Sequence, residues 1–344
     1  MDKSVGSCLL EMELGAAHSF ENMTLYELRR SGNGGPEYMT LGEAFERGVF
    51  TVTEVSEGGS VPELMVTNKG DAAVLLLDGE EVRGAKQNRV LNTTILVGPR
   101  STVKVPVSCV EHGRWRYESR EFRESGNVMH REMRMANVLK VNQSLERGDR
   151  AFRSDQGEIW NKVAEMACDL KVVTGTGAMR DVYEAKGSDL DGYLKAFRAG
   201  EGSKGVLAFI DGRPAGLDFV SSGPAFAALF PKLVKSYAME AMLVAERRRQ
   251  GRGKGDAAKA AAAPAESEAR AFLKAASSCE ERRYESVGLG WAYRYAGAGI
   301  VGSALAFNEK VVHMAFFAVE DEGGGGASDP GGMAGTRSRR SFRL

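Results

Sequence analysis

Polar side chains of several kinds are concentrated between Asp78 and Trp115. Cationic and amide groups can bind a phosphate or carboxylate and contact sugar hydroxyls or base edges, and an indole can stack on a ring. The alternative is structural, because Asn- and Arg-rich turns also tie loop backbone groups together. The ligand-binding residues expected from this pattern are Arg83, Lys86, Gln87, Asn88, Arg89, Asn92, Arg114 and Trp115.

Two carboxylates of the same segment, Glu81 and Glu111, are candidate catalytic residues. A pair of carboxyl groups can give and take protons during a reaction. The structural alternative is that these carboxylates lie on a solvated surface or form an ion pair with an arginine. Asp218 is a different case, since it lies in an apolar strand and a buried carboxylate needs a partner. We expect that partner to be Tyr237 or Arg294.

No metal or cofactor signature accompanies these residues. The sequence contains no HxH or HExxH motif, and its four cysteines lack the CxxC spacing of zinc sites. Neither a GxGxxG fingerprint between a strand and a helix nor a Walker A motif occurs. We therefore expect no metal ligands, disfavour a Rossmann dehydrogenase and a P-loop NTPase, and leave the cofactor unassigned.

Composition excludes further classes of protein. Lys and Arg total 46, as do Asp and Glu, so the formal net charge is zero. This balance argues against a uniformly basic nucleic-acid-binding protein and against an acidic disordered chain. The charge is unevenly distributed, because residues 78–123 hold nine Lys or Arg against six Asp or Glu, a net of +3. The locally basic segment thus coincides with the polar residues described above.

Targeting signals are not expected. Met1 to Phe20 contains Glu11 and Glu13 but no long apolar run, which disfavours a signal peptide. Apolar stretches elsewhere are strand-sized, well short of the ~20 residues of a membrane helix. We expect a cytoplasmic protein with reduced cysteines that contacts no membrane. Its arginines at 247–249 and in the tail are expected to be solvated rather than to bind a specific nucleic acid.

The elements that position these residues divide the chain into three parts. Residues 1–122 are rich in β-branched residues and turn formers, which predicts an antiparallel sandwich or partial barrel with Arg89–Val97 and Val103–Val110 as strands. Residues 123–319 predict an α/β part with several helices and a hairpin at Asp211-Gly212. Thr40 with Glu43, and Asp155 with Glu158, have the spacing of a capping box at the start of a helix. We expect a flexible insertion at 246–265 and a disordered tail at 320–344. The fold class is accordingly α+β.

Particular sequence blocks resemble a known domain family. The segments DGEEVRGAKQNRVLNTTILV and VPVSCVEHGRW, followed by FIDGRPAGLDF, KLVKSYAMEA, VGLGWAYRY and VVHMAFF, occur in the order of that family. The family is named for its association with ADP-ribosylglycohydrolases and rhodanese-phosphatase proteins, and the resemblance covers most of residues 20–318. It implies a link to NAD and ADP-ribose metabolism by genomic association and carries no reaction with it.

Two hypotheses of function follow. In the first, the protein binds, and in an extended form processes, a small phosphorylated ligand of the nucleotide or ADP-ribose type. In the second, it is a non-catalytic scaffold or interaction module that supports partner enzymes, with ADP-ribose-processing enzymes as the expected partners. Substitutions of Lys86, Asn88 and Arg89 separate them, since they should reduce ligand affinity in the first case and stability in the second.

Overall fold

A computed structural model describes residues 1–31, 35–56, 58, 62–149, 151–252, 263–297 and 299–319. Within these ranges the chain forms helices and strands in an irregular alternation. The helices are α1 (Lys3–Leu10), α2 (Leu41–Glu46), α3 (Arg131–Glu146), α4 (Gln156–Asp169), α5 (Met179–Ala185), α6 (Gly187–Ala196), α7 (Gly223–Arg249) and α8 (Glu266–Ser277). The strands are β1 (Glu13–Phe20), β2 (Met23–Arg29), β3 (Tyr38–Thr40), β4 (Phe50–Glu54), β5 (Glu63–Asn68), β6 (Ala73–Leu76), β7 (Glu80–Gly84), β8 (Arg89–Leu91), β9 (Ile95–Val97), β10 (Ser101–Cys109), β11 (Phe122–Val128), β12 (Ser203–Ile210), β13 (Arg213–Val220), β14 (Glu280–Glu285), β15 (Trp291–Gly297), β16 (Ile300–Phe307) and β17 (Lys310–Ala318).

The strands form three sheets. An eight-stranded antiparallel sheet has the order β1-β2-β12-β13-β17-β16-β15-β14, and a six-stranded antiparallel sheet has the order β11-β7-β8-β10-β5-β4. The third sheet, β3-β6-β9, is small and contains the parallel pair β3–β6. Helices accompany mainly antiparallel sheets, so the predicted α+β class is confirmed.

The three largest hydrophobic clusters of the described residues lie between these layers. One lies between the eight-stranded sheet and helices α1 and α8. A second lies on the other face of that sheet, where the long helix α7 packs on β12 and β13 and meets apolar residues of the smaller sheets. The third is shared by the six-stranded and three-stranded sheets. The described residues therefore stack in layers, with α7 between the large sheet and the smaller ones.

Local sequence signals explain several of the boundaries. Thr40 caps α2 and forms the expected capping box with Glu43. Asp155 caps α4 by accepting a hydrogen bond from the backbone of Glu158. The β12–β13 hairpin turns at Asp211 and Gly212, whose φ angles of +48° and +70° are those that a tight hairpin turn requires. The hairpin and the capping box of Thr40 are confirmed, and the predicted start of a helix at Asp155 is confirmed with the cap of Asp155 alone.

The prediction of one strand over Arg89–Val97 is wrong. β8 pairs with β10 in the six-stranded sheet, whereas β9 pairs with β6 in the three-stranded sheet. Between them, Asn92 donates to the carbonyl of Phe152 and Thr94 bonds to His313. Because these polar residues have partners outside either sheet, the chain crosses from one sheet to the other here.

Three observations bear on the predicted division of the chain. β2, from the N-terminal range, is hydrogen-bonded to β12, so strands from both sides of residue 122 are neighbours in one sheet; the domain boundary itself stays a prediction. Residues 246–249 belong to α7, and Arg247 pairs with Glu132 and Asp169, so the expected insertion is helical at its start. Residues 253–262 of the insertion and the tail at 320–344 lie outside the described residues. Among the described helices, none combines the length and apolar character needed to cross a membrane.

Candidate functional site

A pair of arginines faces across two neighbouring strands at the edge of the six-stranded sheet. β7 and β11 are antiparallel, and Arg83 lies directly opposite Arg123. Both side chains are exposed, on the face that also carries Glu81 and, on β11, Ser125. Like charges in directly opposite positions destabilise a strand pair. Folding alone therefore gives no reason for this arrangement.

Helix α5 brings a further arginine to the same face. An isolated bridge joins Glu111 to Ala178, and the backbone of Gly113 donates to Thr176 over 2.7 Å. Arg180 follows two residues after the bridge, where its side chain bonds to Glu184. The contact between the end of β10 and the segment before α5 thus fixes where Arg180 lies.

These residues line two adjoining hollows of about 440 and 270 Å³, which share Glu118 and Arg180. We call them together the arginine groove. Their lining holds five arginines against three acidic residues, a net of +2. The lining residues are Arg83, Gly84, Asn88, Glu111, Arg114, Arg116, Tyr117, Glu118, Ser119, Arg123, Ala178, Arg180 and Asp181.

One side of the groove is held rigidly by Arg114. Its guanidinium forms a two-pronged ion pair with Glu111, with distances of 2.8 and 2.6 Å. It also donates to the carbonyls of Ala85 and Gly84 and to Asn88. These bonds engage the guanidinium of Arg114 and the carboxylate of Glu111 within the protein. We call this pair the frame of the groove. Their predicted roles in ligand binding and catalysis stay predictions.

The remaining arginines are differently placed. Arg83, Arg116 and Arg123 are exposed, and their side chains make no hydrogen bond or ion pair with another described residue. Arg180 has only Glu184 as an ion-pair partner within the described ranges. The groove therefore presents guanidinium groups whose donors are directed at solvent, which is the state suited to binding an anion.

Glu81 lies behind the wall of the groove with no exposed surface. Burial raises its pKa to about 7, although Ser125, Asn127 and Arg180 act in the opposite direction. The pKa of Glu111 is shifted in the opposite direction. Burial alone would raise it, but hydrogen bonds from Arg114 and Thr176 bring it below its ordinary value. Of the two predicted acid–base residues, Glu81 has the pKa suited to proton transfer near neutral pH.

Several other predicted ligand residues lie in buried contacts and do not themselves line the groove. Arg89 is fully buried, with Gln87 as its hydrogen-bond partner at 2.8 Å and Glu54 at 3.8 Å. Lys86 donates to the carbonyl of Gly58 and lies 5.4 Å from the centre of the Trp115 ring. These contacts join predicted residues to one another and to the backbone of Gly58.

Asn88 also belongs to the frame of the groove, whereas Asn92 has its partners elsewhere. Asn92 accepts from Ser108 over 2.8 Å, and Asn88 accepts from the backbone of Gly84. Of the predicted set, only Arg83, Asn88, Glu111 and Arg114 line the groove. The ligand roles of Lys86, Gln87, Arg89, Asn92 and Trp115 stay predictions.

Sequence reasoning missed part of the groove. Arg116 and Arg123 belong to the arginine-rich run that follows the predicted segment, so their density was a usable signal. Arg180 and Asp181 are distant in sequence, and only the bridge between Glu111 and Ala178 brings them here. A single sequence offers no signal for that contact.

A second group of charges, which we call the buried charge cluster, consists of Arg134, Asp218 and Asp78. Arg134 donates to both oxygens of Asp218 at 2.9 and 2.6 Å and to Asp78 at 3.2 Å. Tyr237 donates to Asp218, as expected, over 2.8 Å. Burial would raise the pKa of Asp218, but the charge of Arg134 holds it well below its ordinary value. The cluster is fully buried.

Arg294, the other partner expected for Asp218, is not its ion-pair partner. Its guanidinium donates to Thr93 over 2.5 Å and lies 5.2 Å from the centre of the Phe152 ring. Arg134, on helix α3, takes the predicted place of Arg294. The helix passes the middle of the eight-stranded sheet, which sequence spacing could not reveal.

One group of side chains has the composition of a metal site. His130, Glu132 and Glu240 place potential ligand atoms within 4.8 Å of one another. Glu240 accepts from His130 at 2.8 Å, and Glu132 forms ion pairs with Lys162 and Arg247. Lys162 and Arg247 balance Glu132, and His130 donates to Glu240, so contacts within the protein account for the group.

A larger cleft, of about 1250 Å³, lies beside α1 and the β14–β15 edge. Its charged lining is balanced and none of the predicted site residues belongs to it, so it gives no preference for an anion. The charged residues are Asp2, Glu11, Glu285 and Glu309 against Arg30, Lys204, Arg283 and Lys310. The smaller arginine groove is for this reason the better candidate site.

The fold and the groove define an α+β protein built on a large antiparallel sheet, with an arginine-lined surface depression at the edge of a second sheet. The model of the ARG and Rhodanese-Phosphatase-superfamily-associated Protein domain (ARPP-1) matches residues 11–317, and the chain belongs to this family. The family name records an association with ADP-ribosylglycohydrolases. No curated protein and no solved structure matches the chain.

Proposed function

We propose that the protein binds a small phosphorylated molecule of the nucleotide or ADP-ribose type in the arginine groove. The observation that carries the proposal is the Arg83–Arg123 pair, two like charges in directly opposite strand positions without a carboxylate partner among the described residues. A bound phosphate would remove their repulsion and accept hydrogen bonds from both guanidinium groups.

The shape and lining of the groove support a ligand larger than a single phosphate. Arg180 lies where the two hollows meet, and Arg116 lines the larger one. Tyr117 adds an aromatic ring to the lining of that hollow, with the ammonium of Lys86 5.1 Å from the ring centre. The family's association with ADP-ribosylglycohydrolases agrees with a ligand that has both phosphates and a nucleoside.

The test is isothermal titration calorimetry with NAD, ADP-ribose and ribose phosphates, using wild-type protein and the double variant Arg83→Gln with Arg123→Gln. Each lost charged hydrogen bond contributes about 1.5–3 kcal/mol, so the double variant should bind at least roughly tenfold more weakly. Wild-type affinity should also fall as salt is added.

Arg100→Gln is the matched control, because Arg100 is an exposed arginine outside the groove that pairs with Asp71. It should leave the affinity unchanged. If none of these ligands binds to folded wild-type protein, the proposal is wrong. Equal affinity in the wild type and the double variant would place binding elsewhere and would equally contradict it.

A non-catalytic interaction module is the second candidate. The buried contacts of Lys86, Asn88 and Arg89 favour it, since they assign a structural task to residues expected to bind the ligand. In this case substitution of Arg89 would lower stability without changing ligand affinity, and a partner protein, such as an ADP-ribose-processing enzyme, would be retained by the purified chain. Location in the cytoplasm is part of both candidates.

A further inference from the structure

Glu81 differs sharply from the arginine that follows it on the same face of β7. Glu81 has no exposed surface, whereas Arg83 is exposed and lines the groove. Neither carboxylate oxygen of Glu81 has a hydrogen bond of ordinary geometry to the described residues. An ionised carboxylate in such a position is costly, and the cost is avoided when a proton is bound.

The charged and titratable groups around Glu81 come from each element packed against it. Arg180 and Tyr183 lie on α5, Glu111 follows β10, and Lys235 lies on α7. Lys235 donates to Asn127 over 2.7 Å and to the carbonyl of Gly126. Arg180 and Glu111 also line the groove, so two of the charges that act on Glu81 are charges that a bound anion would meet.

We propose that binding of an anion in the arginine groove is coupled to protonation of Glu81, so that the groove binds phosphorylated ligands more tightly at acidic than at alkaline pH. This inference rests on the proposed binding function and adds a regulation of the same site. Its basis is the position of a buried, unpaired carboxylate behind the arginines that would hold the anion.

The direction follows from charge. Arg180 lowers the pKa of Glu81 from the value that burial alone would produce, and the net result is about 7. An anion on Arg180 cancels that positive charge and adds a negative one, so the pKa of Glu81 rises and a proton is taken up. By linkage, the affinity for the anion must then fall as pH rises through this range.

Sulfate is the first probe, because it keeps its double negative charge between pH 6 and 8, and ADP-ribose is the second. Calorimetry in pairs of buffers with different ionisation enthalpies counts the protons taken up. We expect net proton uptake near pH 7 and an affinity that falls about three- to tenfold from pH 6 to 8, as a pKa shift of up to about one unit requires.

Glu81→Gln is the decisive variant, since its neutral amide imitates the protonated carboxyl. It should bind at pH 8 with the affinity that the wild type shows at pH 6, without proton uptake. Lys235 is tested separately, because burial lowers its pKa to about 8 and it therefore also titrates near the upper end of this pH range. Lys235→Met should keep the pH dependence and move it upward, while Lys235→Arg should restore the range of the wild type. Glu121→Gln, an exposed glutamate outside the groove lining, is the control and should behave like the wild type.

The outcomes separate the two proposals. Affinity that is constant from pH 6 to 8, or an equal pH dependence in Glu81→Gln, would overturn the coupling while leaving the binding function intact. Absence of binding by both probes at every pH would overturn the binding function, and the coupling with it.

Discussion

In the buried charge cluster, the guanidinium of Arg134 donates to two carboxylates, whereas in the arginine groove Arg83, Arg116 and Arg123 have no carboxylate partner among the described residues. The side chain of Arg134 is completely buried where α3 packs on the eight-stranded sheet. The groove arginines lie on the surface, and two of them face each other. Arginine therefore occurs both buried with its charge balanced by carboxylates and exposed without a carboxylate partner.

The difference separates structural from functional charges. Removing charges from water costs several kcal/mol per ion, so burial of the Arg134 guanidinium requires the two carboxylates that balance it. Exposed arginines carry no such requirement, so repulsion between them is tolerated, and it is useful where an anion is to be bound. The carboxyl groups divide in the same way, because Asp218 is ionised against Arg134 while Glu81 is buried without a cation in contact.

The largest expected effect is on the cluster. Arg134→Leu leaves Asp218 and Asp78 buried without their cation and should lower the free energy of unfolding by about 3–5 kcal/mol. Urea denaturation followed by circular dichroism measures it. Arg100→Leu, at an exposed ion pair, should leave the midpoint unchanged. A loss below about 1 kcal/mol in Arg134→Leu would remove the contrast between the two regions.

A smaller effect, with a distinctive pH dependence, is expected at Glu81. Its pKa is raised in the folded protein, so the folded state binds more protons than the unfolded state from pH 4.5 to about 7, and stability falls across that window. Glu81→Gln should therefore gain stability relative to the wild type as pH rises, by up to about 3 kcal/mol above pH 7.

Urea denaturation at intervals from pH 4.5 to 8 follows this gain, with Glu121→Gln as the exposed control. Asp218 should contribute a pH dependence of the free energy of unfolding with the opposite sign. Its pKa is lowered in the folded protein, so its contribution to stability is lost only as pH falls into the acid range. A constant difference between Glu81→Gln and the wild type would show that Glu81 titrates normally.

The smallest effect on stability is expected in the groove. Arg83→Gln with Arg123→Gln removes two exposed like charges and should change the free energy of unfolding by no more than about 0.5 kcal/mol. The same variant should lose ligand affinity, so binding and stability are affected separately. Destabilisation comparable to that of Arg134→Leu would mean that these arginines are structural.

Prediction from the sequence succeeded where local signals decide the structure. The capping box of Thr40 and the Asp211-Gly212 turn needed only neighbouring residues. It failed over Arg89–Val97, because β-branched residues favour extended backbone without selecting a sheet. For the site, Arg83, Asn88, Glu111 and Arg114 were within reach of sequence reasoning, while Arg180 was not.

The sequence by itself determined the α+β class, the family and the basic segment at 78–123, since these depend on composition, residue order and local pattern. Only the tertiary structure decided which charges are neutralised and which remain open. Arg89 and Arg83 lie in the same basic segment, yet one is fully buried beside Glu54 and the other is exposed opposite Arg123. Burial and partners arise from contacts between distant parts of the chain, and the pKa of each group depends on both.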